Sequence, residues 1–136
     1  MTTLPVATTR SATAQRRIRR AGAVVAATLV NGVLWGVCSV FGVDFWLSDS
    51  GGAGAVTLPI ALVATAVSGL LGWATLAGLE RLTRRALGLW TGLAVGVTLL
   101  SIVPIFLEQA TTGTRIALTV LHVAVAAALI PAFRSR

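Results

Sequence analysis

The sequence predicts an all-α integral membrane protein, a four-helix bundle whose N-terminus and C-terminus are both cytoplasmic. Three observations carry that expectation. First, apolar residues make up 56% of the 136-residue chain and charged residues only 11%, whereas soluble domains carry about 25% charge. Mean hydropathy is +0.90. Second, residues 21–43, 55–79, 86–107 and 116–133 contain no Asp, Glu, Lys or Arg. At a rise of about 1.5 Å per residue these runs reach about 27–37 Å, enough to cross a hydrocarbon core of about 30 Å. Third, the basic residues collect on one side of the four runs. A soluble bundle would need polar outer faces at helical spacing, and the runs have none.

Taken in order, residues 1–20, MTTLPVATTRSATAQRRIRR, combine Thr, Ala and Arg without apolar periodicity. They are expected to form a disordered basic cytoplasmic tail. Arg16, Arg17, Arg19 and Arg20 abut the first span as in a signal peptide. The 23-residue apolar run and the lack of a closing small-x-small site point instead to an uncleaved anchor. The first outer loop, DFWLSDSGGAG, ends in glycine-rich sequence and is expected to be flexible. Pro59 then falls in the first turn of span two, where a missing N–H costs least. The turn ERLTRR carries Arg81, Arg84 and Arg85, and Glu80 and Arg84 stand four apart, the spacing of a helix-end ion pair. Pro104 and Pro131 lie near the ends of spans three and four and demand no kink at mid-membrane. Residues 21–136 thus form one four-span transmembrane domain.

With the tail inside, ten of the eleven arginines are cytoplasmic and Arg115 alone lies outside, a strong positive-inside bias. Asp44, Asp49 and Glu108 fall on the outer side. Phe45 and Trp46 at the outer surface, and Trp73 and Trp90 near the inner ends of spans two and three, are expected to be interfacial anchors. All basic residues are arginine and tyrosine is absent, the pattern of a GC-rich bacterial coding sequence, so the expected location is a bacterial plasma membrane. The net charge of +7 sits at the membrane edges, which points to anionic lipid head groups and not to nucleic acid. Cys38 is the single cysteine, so no intramolecular disulfide forms.

Small residues recur at four-residue spacing. Gly88, Gly92 and Gly96 make one stripe on span three, Gly32 and Gly36 lie on span one, and Ser68 and Gly72 on span two. Such stripes let helix backbones approach closely where lipid is as apolar as leucine. Two readings stand side by side: packing within the bundle, or an interface with a second copy or another membrane protein.

Polar residues also share a depth. Asn31 and His122 each lie about 15–16 Å from the inner ends of their spans, Ser68 falls at the same level, and Thr98 within about 3 Å of it. Buried polar groups need partners, so a midplane layer is expected, with His122 bonded to Asn31 as its simplest structural form. Proton or substrate handling is the functional form, because an intramembrane histidine can titrate near neutrality. No metal site and no cofactor are expected, since His122 has no second strong ligand in the membrane.

Catalytic constellations are lacking, as are phosphate-loop, dinucleotide and zinc-ligand spacings. The expected role is therefore a non-enzymatic interaction or accessory membrane protein. The alternative is a small transporter or ion or proton conduit using the midplane layer around His122.

The stretch GLLGWATLAGLERLTRRALGLWT, followed by LHVAVAAALIPAF, resembles a family of small four-span bacterial membrane proteins catalogued as domain of unknown function 6069. The likeness covers residues 69–133: Gly72 and Trp73 before the arginine turn, Trp90 opening span three, Leu100, Ser101 and Pro104 closing it, and His122 and Pro131 in span four. Span one and the first outer loop stand outside it. The resemblance implies the four-span architecture and no particular activity.

Overall fold

The computed structural model describes residues 7–49 and 52–134. Four helices, α1 (Ala7–Val40), α2 (Leu58–Leu82), α3 (Ala86–Leu107) and α4 (Thr112–Arg134), run up and down in sequence, and a two-stranded hairpin, β1 (Trp46–Asp49) with β2 (Gly52–Ala55), joins α1 to α2. Each helix packs on its sequence neighbours, and α1 closes the ring against α4. All four are long and apolar enough to cross a membrane. Their outward faces are apolar too, with Leu29, Val33, Leu99 and Leu100 between 62% and 71% exposed. One end of the bundle carries the arginine-rich α2–α3 turn; the other carries the hairpin.

The hairpin end is built from local rules. α1 stops in a Schellman motif: the N–H of Gly42, at φ +83°, bonds Ser39 O, and the N–H of Val43 bonds Cys38 O. Phe45 follows with φ +51°, an unusual backbone for a residue with a side chain. It is held there because its ring is buried and stacks on Trp35 with centroids 5.3 Å apart. The indole N–H of Trp35 donates to Val56 O at 3.0 Å. A pair of backbone bonds between Ser48 and Gln109 ties the hairpin to the α3–α4 connection. Thr111 caps α4 by accepting the Thr114 N–H, and the Thr114 hydroxyl donates to Asp44 at 3.0 Å.

Several expectations change here. Residues 7–20 are not a disordered tail but the first turns of α1: the apolar span supplies the nucleus, and the Ala, Gln and Arg that precede it extend a helix readily. Residues 1–6, 50, 51, 135 and 136 lie outside the described residues. The flexible first loop is in its described parts a β-hairpin in register Trp46 with Ala55 through Asp49 with Gly52. Phe45 and Trp90 are not surface anchors. Phe45 is a core residue, and Trp90 is buried against Phe133 with its indole N–H donated to Gly72 O at 2.8 Å.

Two apolar clusters form the core. Val24, Ala27, Leu76, Trp90, Leu129 and Phe133 fill the arginine end. Phe45, Ile105, Ala117 and Leu118, with Trp35, Cys38 and Val43 packed on them, fill the hairpin end. The bundle is not filled in the same way between them.

Candidate functional site

Alongside the two clusters, sharing Leu118 with one and Trp90, Leu129 and Phe133 with the other, runs a cleft of about 430 Å³, within the size range of small-molecule sites. It follows α4 from Leu118 to Phe133, about 22 Å along the helix. Its open side runs between α2 and α3, where the lining residues Ile60, Leu71, Leu93 and Val97 are at least half exposed. The walls are mostly apolar and include no charged side chain.

Asn31, Ser68, Thr98 and His122 all line this cleft. They do not bond one another. The Asn31 amide N–H donates to the Thr65 hydroxyl at 2.6 Å, and that hydroxyl donates its own proton to Ala61 O at 2.8 Å. Because the Thr65 proton is committed, Thr65 can only accept from Asn31. This fixes the amide with its nitrogen toward α2 and leaves Asn31 Oδ1 buried without a partner. The expected Asn31–His122 bond is therefore absent. His122 turns back on its own helix, with Nδ1 2.8 Å from Leu118 O. A carbonyl only accepts, so Nδ1 carries the proton, and in the neutral ring Nε2 is left as an acceptor. Thr98 donates to Ala94 O and Ser101 to Thr98 O. Thr65 was not foreseen in the sequence; it lies about one turn from Ser68, toward the hairpin end of α2.

The glycines divide. A Cβ on Gly32 would stand 2.9 Å from Leu62, and one on Gly72 would touch Trp90 and Phe133, so both sit at helix contacts. Gly36, Gly88, Gly92 and Gly96 have nothing within 4 Å; of the two readings of the stripes, close packing within the bundle does not apply at these positions, and the three glycines of α3 are exposed on its outward side. The closest approach missed in the sequence is Gly69, where a Cβ would meet Val24 at 3.0 and 3.1 Å.

At the arginine end, Arg16, Arg17, Arg19, Arg81, Arg84 and Arg85 are exposed while Arg20 is buried. Glu80 pairs with Arg20, not with Arg84. The reason is that α2 ends at Leu82 and Thr83 is extended, so Arg84 leaves the helical spacing that would have brought it over Glu80. Among the described residues no three of His, Cys, Asp and Glu gather as a metal site would require.

Four antiparallel apolar helices around a laterally open, uncharged cleft define a small bundle of membrane-spanning type. The chain belongs to the family of unknown function DUF6069, which it matches over residues 11–136. The match takes in span one and the first loop, which the resemblance read from the sequence had left outside. No curated protein and no solved structure matches the chain.

Proposed function

We propose that this protein is a non-enzymatic, multi-pass interaction or accessory protein of a bacterial plasma membrane, with both ends of the chain on the cytoplasmic side. One observation carries the reading: the polar level of Asn31, Thr65, Ser68, Thr98 and His122 has a buried apolar cluster on either side of it. A conduit needs a continuous polar path. Here Leu76, Trp90 and Phe133 stand between His122 and the arginine end, and Phe45, Ile105 and Leu118 between it and the hairpin end. The open route is sideways, between α2 and α3.

The exposed arginines at one end suit anionic lipid head groups. The outward stripe of Gly88, Gly92 and Gly96 offers bare backbone to a helix of a second copy or of another membrane protein. Proton flux in proteoliposomes tests the reading. The purified protein is expected to conduct no faster than protein-free vesicles under an imposed pH gradient. Flux that His122→Leu abolishes would establish the conduit instead.

A further inference from the structure

We propose that the cleft is a binding site for a neutral, chain-bearing lipid with a hydroxyl group, entering sideways between α2 and α3. The inference rests on the reading of a bundle closed at both ends, and it follows from counting protons. Asn31 Oδ1 has no partner, but it is sealed off and presents no surface that a ligand could reach. Nε2 of His122, a partly exposed residue of the cleft wall, is the acceptor open to a ligand, because Nδ1 spends the proton of the neutral ring on Leu118 O. The hydroxyls of Thr65, Thr98 and Ser101 have given their protons to Ala61, Ala94 and Thr98 carbonyls. Ser68 alone among these groups keeps an uncommitted hydroxyl. The cleft thus offers one open acceptor, His122 Nε2, and one open donor, the Ser68 hydroxyl, and a hydroxyl is the neutral group that can donate to the first and accept from the second.

Charge and shape narrow the class. No charged side chain lines the cleft, so a phosphate, carboxylate or ammonium would be buried without a counter-ion. The apolar walls extend from Leu118 to Phe133 on α4, about 22 Å, a length that suits an extended hydrocarbon or prenyl chain. His122 and Ser68 lie partway along this length, where the hydroxyl would sit. The exposed rims at Ile60, Leu71, Leu93 and Val97 give such a molecule a path from the bilayer without crossing either apolar cluster.

The test uses the full chain in nanodiscs and a diazirine-bearing hexadecanol, with crosslinks mapped by mass spectrometry. Labelling is expected on cleft residues of α2, α3 and α4. Unlabelled hexadecanol should compete roughly three- to eighteen-fold better than hexadecyl methyl ether, the range of one membrane hydrogen bond. His122→Leu should bring that ratio close to one while labelling persists. Ser68→Trp, which fills the mouth without touching the Asn31–Thr65 bond, should suppress labelling in a bundle whose detergent stability is retained. Equal competition by alcohol and ether in the unaltered protein would overturn the proposal, as would labelling spread over the outer helix faces or a crosslink seating a second copy in the cleft. Proton flux in the liposome experiment would count against the closed bundle instead, whatever the two competitors do.

Discussion

The guanidinium of Arg20 on α1 grips the carboxylate of Glu80 on α2 through two hydrogen bonds, Nη1 to Oε2 at 3.1 Å and Nη2 to Oε1 at 2.5 Å. This two-point geometry joins residues sixty apart in sequence and fixes the relative height of their helices as well as their separation. Arg20 is 7% exposed, so its charge depends on this partner.

Removing Glu80 should therefore cost more than an ordinary surface pair. Glu80→Ala is expected to lower the detergent unfolding free energy by about 1–3 kcal/mol, because it strands a buried donor set. The Glu80 side chain itself is 32% exposed, which keeps the loss below that of a fully buried pair. Arg84→Ala should stay within about 0.5 kcal/mol of the parent. Equal losses in the two variants would return Glu80 to a pairing within its own turn.

The glycine positions give a second prediction, read as unfolding midpoints and oligomer size. Gly69→Ala should destabilise by about 1–3 kcal/mol through overpacking, since its Cβ would press on Val24, a branched and buried side chain with no room to turn. Gly32→Ala should be milder because its neighbour is the flexible tip of Leu62. Gly92→Leu should leave the monomer intact and, where a second copy docks on that stripe, shift the oligomer toward monomer. A destabilised monomer in the Leu variant would mean that the stripe faces inward.

How far these features were legible depends on what each residue type reports. The charge-free runs marked α3 at its observed bounds, Ala86–Leu107, because apolarity over that length reports solvent preference directly. Azimuth was hidden. In a membrane helix the lipid face and the packed face are both apolar, so the spacing of Gly88, Gly92 and Gly96 carried no sign of which way the stripe looks. Depth alone likewise brought Asn31, Ser68, Thr98 and His122 to one level, and all four line the cleft. It did not give their bonds, since a side chain can satisfy itself on a carbonyl one turn back, as His122 does with Leu118. The hairpin escaped notice because its glycines read as a loop and its bridge to Gln109 comes from a distant part of the chain.

Topology is checked by reporter fusions. Fusions after Arg20, Arg85 and Arg136 should report cytoplasm, and those after Gly52 and Thr112 the outside, since reading the sequence as four crossings puts ten of its eleven arginines on one side. A cytoplasmic signal at Gly52 would reverse the orientation. The same result would move the Arg20–Glu80 pair to the outer face.

The last prediction separates the two halves of the polar level. Asn31 and Thr65 bond directly between α1 and α2, so Asn31→Leu and Thr65→Val should each destabilise, and the double variant should lose less than the sum. The coupling expected is about 0.6–1.7 kcal/mol, the range measured for hydrogen bonds between membrane helices. His122 bonds only its own helix among the described residues, so the Asn31→Leu and His122→Leu losses should add within about 0.5 kcal/mol. The stability effect of His122→Leu should itself be small, because the Leu118 carbonyl it frees remains within a helix that already uses it. Detergent unfolding of the singles and both doubles reads all of this in one series. Strong coupling between Asn31 and His122, with none between Asn31 and Thr65, would mean that the amide turns toward α4 in the folded protein.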